Sequence, residues 1–185
     1  GENVQRSIDE VLKHHGRIDA LINNAGITMA GAVEEIPIEQ AMALLDVNFW
    51  GVVRMSRAVI PAMRKQKSGI IIMMGSIGGL IGLPFEAYYS ASKFAIEGFV
   101  ESLRMEVMPF NIQVALIDPG DFKTSISQNR IRVKSPSVYS VAVDQVLSVT
   151  EYNETHGADP LCIAQLINDM MSRTKLKYRY LVGQW

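Results

Sequence analysis

Six consecutive residues, from Gly69 to Met74, do most to limit the folds open to this chain. Their sequence, Gly-Ile-Ile-Ile-Met-Met, shows no alternation of apolar and polar side chains. A strand that is apolar on both faces is typical of a parallel sheet covered by helices on both sides, whereas antiparallel strands usually alternate. The segment therefore predicts a central strand in a layered α/β protein.

Apolar periodicity predicts helices between several such strands. Helices are expected where apolar residues recur every three to four positions, and strands where short apolar runs end in turn-forming residues. Gly16 is the expected C-cap of the first helix, Pro109 stops the third, and Asp159 caps the last. Because strand and helix alternate, we predict a doubly wound parallel α/β sheet in three layers. The predicted helices are 1–15, 38–65, 87–108 and 160–171, and the predicted strands are 18–22, 69–74, 112–117 and 178–182.

Residues 121–157 have weaker periodicity and mixed polarity. We predict one or two helices within this segment, around 138–152, and interpret the segment as a mobile part that borders the substrate. The chain as a whole, residues 1–185, has the length of a single domain.

Composition argues against several classes of partner. The 18 Lys and Arg residues nearly balance the 19 Asp and Glu residues, so a nucleic-acid partner is not expected. Apolar runs are far shorter than the roughly 20 residues of a membrane span, and no signal peptide opens the sequence. Cys162 is the only cysteine, so no internal disulfide is expected, and the cytoplasm is the expected compartment.

Tyr89 and Lys93 lie four residues apart in the segment Tyr-Ser-Ala-Ser-Lys. On a helix this spacing stacks the two side chains on one face, one turn apart. Lowering the pKa of a tyrosine from near 10 to about 7 requires about 4 kcal/mol. One unit charge about 4 Å away supplies a similar energy at an effective dielectric near 20. The pair is compatible with proton transfer, although the same spacing is also common on ordinary solvated helices.

Other polar residues occur in a matching order along the chain. Asn23-Asn24-Ala25-Gly26 follows the first strand, Ser76 follows the second, and Pro119-Gly120 with Thr124 beyond it follows the third, while Asn48 lies on a predicted helix. Ligands of open parallel sheets bind in the crevice at the carboxyl ends of the strands. We therefore expect these residues to line one cleft together with the tyrosine and lysine.

Together these motifs resemble the short-chain dehydrogenase/reductase family, whose fold is Rossmann-like. The resemblance runs from Gly16-Arg17-Ile18-Asp19 through the Asn-Asn-Ala-Gly turn to Tyr180-Leu181-Val182-Gly183. Segments 75–85 and 91–95 look most like the 17β-hydroxysteroid and retinol dehydrogenase branch. The resemblance implies hydride transfer between NAD or NADP and a secondary alcohol or carbonyl compound, by a homodimer or homotetramer.

For the catalytic residues, the resemblance implies that Tyr89 is the general acid and base. It implies that Lys93 lowers the pKa of Tyr89 and binds the nicotinamide ribose. Ser76 would hold the substrate oxygen, and Asn48 would sit in a bent helix and anchor a water of the proton relay. Tyr88 is five residues from the lysine and points elsewhere, so it is not the expected catalytic tyrosine.

For the cofactor, the resemblance implies two groups of contacts besides Tyr89 and Lys93. One is the turn that passes beneath the adenine ribose, and the other follows the third strand and clasps the carboxamide. The first group is Asn24, Ala25 and Gly26, and the second is Pro119, Gly120, Phe122 and Thr124.

Two other groups of ionisable residues have ordinary interpretations. His14 and His15 end a helix and meet its negative pole favourably, so no metal site is expected. Arg130, Arg132 and Lys134 form a basic cluster that we interpret as solvated surface, with steering of an anionic cofactor as the alternative.

One feature of dinucleotide-binding proteins is not found in this sequence. Such a site needs a glycine-rich turn after its first strand and a charged selector about 20 residues later, which distinguishes NAD from NADP. Roughly 60 to 75 residues of the family pattern are unmatched, which corresponds to two or three strand-helix units. We favour a complete parent enzyme. The alternatives are a truncated, non-catalytic module that dimerises through helices 38–65 and 87–108, and a non-catalytic protein with an apolar ligand pocket under 121–157.

Apolar residues near the expected cleft indicate the class of substrate. They favour an apolar molecule such as a steroid, a retinoid or a lipid. These residues are Leu80, Leu83, Phe85, Met108 and Val138.

Overall fold

The computed structural model describes residues 2–133 and 138–183 and contains a parallel sheet, as the sequence predicts. Two short strands also form a separate parallel pair. In chain order the strands are β1 (Ala20–Asn23), β2 (Met29–Ala30), β3 (Gly69–Met74), β4 (Ile112–Pro119), β5 (Ile131–Arg132) and β6 (Arg179–Val182). The main sheet has the order β1-β3-β4-β6 with every pairing parallel, and β2 pairs with β5.

Helices connect these strands close to the predicted positions. They are α1 (Glu2–His15), α2 (Ile38–Leu45), α3 (Gly51–Gln66), α4 (Ala87–Val107), α5 (Ser140–His156) and α6 (Leu161–Met171). The helix predicted from 38 to 65 is present in extent, but a π-helical turn, Asp46–Trp50, divides it into α2 and α3. None of the described helices is both long and apolar enough to cross a bilayer.

Helix ends follow the expected chemistry. Gly16 has a φ of 74° and its amide donates to the Leu12 carbonyl at 2.8 Å, which ends α1 in the left-handed conformation that glycine tolerates best. Asp159 accepts a hydrogen bond from the Leu161 amide at 2.8 Å, so it caps the start of α6 as predicted. In the region 121–157 the structure shows one long helix, α5, and the mobility of that region stays a prediction, as does the single domain.

The strand from Gly69 to Met74 is covered on both faces, as its composition predicts. Ile71 and Met73 pack into a core with α1, α3 and α4, whereas Ile72 packs on the other face with Met170 of α6. Successive strand side chains point to opposite faces, so an unbroken apolar run is buried from both sides. Full burial of each such side chain contributes about 1.5 to 3 kcal/mol.

Parallel strands bring their carboxyl ends to one edge of the sheet, and α4 begins at that edge. Tyr89 and Lys93 lie in the first two turns of α4, whereas Met108 follows its last residue. A rise of 1.5 Å per residue puts Met108 roughly 28 Å along the helix from Tyr89. The expectation that Met108 lines the substrate cleft is therefore wrong.

We expect Gly75→Ala to destabilise the protein by about 1 to 3 kcal/mol, as overpacking of a core does. Gly75 follows β3, and a Cβ there would lie 1.9 Å from Oδ1 of the fully buried Asp118. The measurement is the free energy of unfolding in urea. Gly82→Ala is the matched control, because its Cβ would meet nothing within 4 Å. Equal stability of the two variants would contradict the close approach at Gly75.

Candidate active site

Ser76 and Tyr89 are in contact at the carboxyl edge of the sheet. Ser76 follows β3, and its Oγ accepts a hydrogen bond from the Gly78 amide at 3.1 Å, which fixes the direction of the side chain. The Ser76 hydroxyl faces the Tyr89 phenol and acts to lower its pKa. Both residues are buried, with exposed fractions of 8%. The structure thus pairs the two hydroxyls that the sequence singles out.

Lys93 lies one turn after Tyr89 and reaches the same edge. Its Nζ donates a hydrogen bond to the Met74 carbonyl at 2.9 Å and lies 5.7 Å from the centroid of the Tyr89 ring. An ammonium has three donor hydrogens, so one bond to Met74 leaves capacity for an acceptor in the cleft. The buried lysine therefore joins α4 to the end of β3.

Two glycines that sequence analysis did not assign to the site permit this close packing. A Cβ on Gly78 would lie 3.0 Å from the Tyr89 ring, and a Cβ on Gly79 would lie 3.1 Å from the Lys93 backbone. The sequence did contain a signal for this packing, because two consecutive glycines stand shortly after a buried strand and Ser76. Their function is to let a helix approach the turn, since a side chain there would push Tyr89 and Lys93 outward.

Asn48 links the turn after β1 to α4. It lies in the π-helical turn, where its Oδ1 accepts from the Ile27 amide at 2.8 Å and its Nδ2 donates to the Ile27 carbonyl at 2.9 Å. The same Nδ2 donates to Ser92 Oγ at 3.0 Å, and Ser92 donates to the Tyr89 carbonyl at 2.6 Å. Ser92 is a third residue, after Gly78 and Gly79, that sequence analysis did not assign. A π-turn inside a helix is frequent at functional sites.

The turn expected beneath the adenine ribose is open to solvent. Asn24, Ala25 and Gly26 are all exposed. A Cβ on Gly26 would lie 3.4 Å from Asn48 Oδ1 and 3.8 Å from Lys93 Nζ, so this surface leads directly to the lysine. An exposed turn that leads to an ammonium with unused donors fits a ribose hydroxyl.

The residues after β4 are placed differently from one another. The Gly120 amide donates to the Val182 carbonyl at 2.9 Å, and Pro119 is the last residue of β4. Phe122 is buried, and its ring would touch a Cβ on Gly183 at 2.7 Å, so the ring serves packing and leaves only the backbone for a ligand. Thr124 is exposed, and its Oγ1 accepts from the Ile126 amide at 3.3 Å.

The pKa values of Tyr89 and Lys93 differ from those that the sequence led us to expect. Burial raises the pKa of Tyr89 to about 12, although the Ser76 hydroxyl acts to lower it. Burial lowers the pKa of Lys93 to about 8, against the nearby charge of Asp118. The expected lowering of the Tyr89 pKa by Lys93 is not found in this structure. The physical reason is that burial of the phenol outweighs other influences and that the ammonium is engaged by the Met74 carbonyl.

A buried ion cluster lies beneath the lysine and was not predicted. Asp118, at the end of β4, is completely buried and lies 3.0 Å from Nε of Arg179, which also pairs with Glu97 of α4. Burial and the charge of Glu97 raise the pKa of Asp118. The cluster places ionisable groups of β4, α4 and β6 directly behind the site.

The prediction that the basic cluster lies on the surface is wrong for Arg130. Its side chain is only 1% exposed, because the fold brings three carboxylates from distant segments around it. It pairs most closely with Glu86 and Glu154. Arg132 is exposed, and Lys134 lies outside the described residues.

The residues expected to line the substrate differ from one another in position and exposure. Leu83 packs beside Tyr89, whereas Val138 is 92% exposed. Phe85 and Tyr139 border a cavity of about 440 Å³ together with residues 31–34.

Comparisons with known proteins agree with this geometry. A family model described as short chain dehydrogenase matches residues 1–134. The 3-ketodihydrosphingosine reductase of Bacteroides thetaiotaomicron is 39% identical over 184 residues, which cover 98% of this chain and 68% of that protein. Human 17-beta-hydroxysteroid dehydrogenase type 1 is 42% identical over 113 residues, 61% of this chain and 34% of that protein.

Among solved structures, a short-chain dehydrogenase from Streptomyces avermitilis superposes with a TM-score of 0.87 at 30% identity. The match covers 98% of this chain and 67% of that one, so the chain spans about two thirds of the solved protein's length. The chain belongs to the short-chain dehydrogenase family of oxidoreductases, whose solved members include complexes with NAD and with NADP. The predicted likeness to the 17β-hydroxysteroid dehydrogenase branch is also confirmed.

We expect Lys93→Met to change stability in a pH-dependent way. The pKa of Lys93 is about 8 in the folded state and near 10.5 in the unfolded state, so burial of the charge is unfavourable below pH 8. Between about pH 8 and 10.5 the unfolded chain keeps a proton that the folded chain has lost, and wild-type stability rises. The stability of the variant relative to wild type should therefore fall by about 3 kcal/mol across that window.

Urea unfolding at pH 7, 8.5 and 10 measures this difference. Lys123→Met is the control, because it removes an exposed lysine instead of a buried one. A constant difference between Lys93→Met and wild type would rule out a buried, charged lysine.

Proposed function

We propose that the protein containing this chain is an NAD- or NADP-dependent oxidoreductase that interconverts a secondary alcohol and its carbonyl compound. One observation carries the proposal. Tyr89 and Ser76 are buried together against Gly78, with Lys93 Nζ 5.7 Å from the tyrosine ring, at the edge of the sheet where ligands of this architecture bind. Proton transfer to a carbonyl oxygen requires such a donor, held in position.

Each residue has a distinct part in the proposed reaction. Tyr89 gives its proton to the carbonyl oxygen in reduction and takes it from the alcohol in oxidation. Ser76 donates a hydrogen bond to the same oxygen and stabilises the charge that develops on it. Lys93 joins α4 to the end of β3 through the Met74 carbonyl and keeps donor hydrogens for the cofactor. Asn48 anchors the turn at Ile27 to α4 and is the proposed anchor of a relay water.

The residues around the cleft fit a nicotinamide dinucleotide. When bound, NAD or NADP supplies or accepts the hydride. Lys93 has donors for the ribose hydroxyls, and Asn24, Ala25 and Gly26 form an exposed turn for the adenosine side. Pro119, Gly120, Thr124 and the backbone of Phe122 are the proposed contacts near the carboxamide.

We propose an apolar substrate, such as a steroid, retinoid or lipid. A cavity of about 440 Å³ is bordered by Phe85, Tyr139 and residues 31–34, and Phe85 stands four residues before Tyr89 in the sequence. The rings of Phe85 and Tyr139 pack edge to face at 6.4 Å and form an aromatic wall. The names of two relatives refer to a sphingoid base and to steroids, which are largely apolar molecules.

A homodimer or homotetramer in the cytoplasm completes the proposal. Large apolar side chains are exposed along the helices 38–66 and 87–107, which fits pairing through these helices. They are Ile38, Met42, Trp50, Phe94 and Met105.

We expect Tyr89→Phe to reduce kcat by a factor on the order of 100 to 10,000, because the general acid is lost. Cofactor affinity should change little, since the ring and Lys93 remain. The measurement uses the full-length protein with a panel of steroid, retinoid and lipid ketones, NADH and NADPH, together with nicotinamide fluorescence titration.

Tyr88→Phe provides the matched control. The Tyr88 hydroxyl donates to the Val33 carbonyl at 3.3 Å and not to Ser76, so turnover should persist. Lys93→Met is expected to weaken both turnover and cofactor affinity. Substantial activity of Tyr89→Phe would refute the assigned function of the tyrosine.

A further inference from the structure

Arg130 is buried inside the protein, although arginine side chains usually reach solvent. It belongs to the segment 125–132, named here the turn 125–132, whose last two residues form β5. A buried charge is tolerated when opposite charges and hydrogen bonds compensate its lost hydration. The partners of Arg130 therefore reveal which parts of the protein the turn 125–132 is joined to.

Those partners come from the start of the catalytic helix and from α5. Arg130 Nε lies 3.3 Å from Oε1 of Glu86, and its Nη2 donates to Glu154 Oε1 at 2.8 Å. The third carboxylate, Glu151, lies 3.7 Å from Nη1. Glu86 immediately precedes α4 and is itself buried. It stands three residues before Tyr89, so the guanidinium bridges the turn 125–132 to the first turn of the catalytic helix.

A second set of bonds fastens the same corner. Thr28 Oγ1 donates to Glu86 Oε2 at 3.2 Å, while the Thr28 carbonyl accepts from the Ile131 amide at 3.0 Å. Ser127 of the turn is hydrogen-bonded to Glu154. Three chain segments, the one before β2, the one before α4 and the turn 125–132, thus meet around one carboxylate and one guanidinium.

The backbone beside Glu86 is strained. Phe85 has a φ of 58°, a left-handed conformation that is uncommon for a bulky residue. Its carbonyl accepts a hydrogen bond from the Gly31 amide at 2.9 Å. Such a conformation persists only where the surroundings enforce it, and it is concentrated at functional sites. The start of α4 therefore depends on its neighbours for its geometry.

We propose that Arg130 and Glu86 are positioning residues for the reaction, and that their buried ion pair joins the turn 125–132 to α4 and holds Tyr89 against Ser76. The proposal rests on the proposed oxidoreductase function. Because the turn 125–132 and Tyr89 both depend on the Arg130–Glu86 ion pair, we expect the turn to become ordered when Tyr89 is aligned.

Burial distinguishes this pair from its neighbour. Removing one partner of a buried ion pair leaves the other charge without compensation, which is costly. Arg132, two residues later, pairs with Glu151, but its side chain is 42% exposed, and exposed pairs contribute little. Arg132→Met is therefore a matched control for Arg130→Met in the same turn.

The pair also acts on the ionisation of Tyr89. Beyond the effects of burial and of the Ser76 hydroxyl, the charges of Glu86 and Glu154 raise the pKa of Tyr89 and that of Arg130 lowers it. The other charged group beside the ring is Lys93. Neutralising Glu86 and neutralising Arg130 should therefore move the Tyr89 pKa in opposite directions. If the two variants only lost packing, the Tyr89 pKa would move in the same direction in both.

The structural test is hydrogen exchange of the full-length protein. Glu86→Gln and Arg130→Met should each accelerate amide exchange in both the turn 125–132 and residues 86–92. The exchange rates of the double variant should be only slightly higher than those of either single variant. Arg132→Met should leave both regions unchanged. Faster exchange in only one region for the Arg130 and Glu86 variants would overturn the proposed joining. If Arg130→Met does not fold, Arg130→Lys, which keeps the charge but not the planar fork, takes its place.

The kinetic test follows the pH dependence of kcat. We expect Arg130→Met to lower kcat by a factor on the order of 100, as misplacement of a catalytic group does, and to raise the pH midpoint. Glu86→Gln should lower kcat as well but lower the midpoint, and Arg130→Lys should recover part of the rate. Midpoints that shift in one direction for both variants, or an unchanged kcat, would refute the positioning function.

The two proposals fail in distinguishable ways. If wild type shows no turnover with either cofactor across the substrate panel, the proposed function fails. The exchange experiment then still decides whether the pair joins the two segments.

Discussion

The hydrogen bond from Lys93 Nζ to the Met74 carbonyl determines the geometry on which the site depends. A buried ammonium is unfavourable, as the lowered pKa of Lys93 shows, and a carbonyl at the end of a strand is one of the few acceptors available there. The bond fixes one face of α4 against the end of β3. Tyr89 lies one turn earlier on that face, so its contact with Ser76 follows from the same placement.

Close contact between α4 and the turn after β3 requires small residues. Gly78 faces the tyrosine ring and Gly79 faces the Lys93 backbone, and neither has room for a side chain without displacement. Asn48 then ties a neighbouring side of α4 to Ile27 through Ser92. The helix is therefore held from two directions, which suits a proton donor whose rate depends on orientation.

Much of this arrangement could be predicted from sequence. The strand Gly69–Met74 was recognisable because it is apolar on both faces, and the end of α4 because Pro109 lacks an amide donor. The π-turn Asp46–Trp50 agrees with the bent helix that family resemblance implied at Asn48, but periodicity alone could not predict it, since its residues continue the apolar pattern of the helix around it. The placement of Ser76 beside Tyr89 was expected from family resemblance and from the common edge of parallel strands.

What the sequence could not reveal were contacts made by residues distant along the chain. Arg130 looked like surface because it stands among other basic residues, and only the fold brings Glu86 and Glu154 around it. For the same reason the ionisation of Tyr89 could not be deduced from the spacing to Lys93 alone. Burial is the largest influence on the phenol, and it depends on the packing of the whole corner.

Two buried ion clusters flank the tyrosine and lysine, and together they determine the electrostatics of the cleft. Asp118, Glu97 and Arg179 lie behind Lys93, whereas Arg130 and Glu86 lie at the start of α4. In a low-dielectric interior such charges act over longer distances than in water. Because Asp118 opposes the loss of the proton from Lys93, it helps to keep the ammonium and its donor hydrogens at the cleft. The proton affinity of the acid is thus set first by burial and then by the opposing charges of Glu86, Glu154 and Arg130, which the spacing of Tyr89 and Lys93 does not reveal.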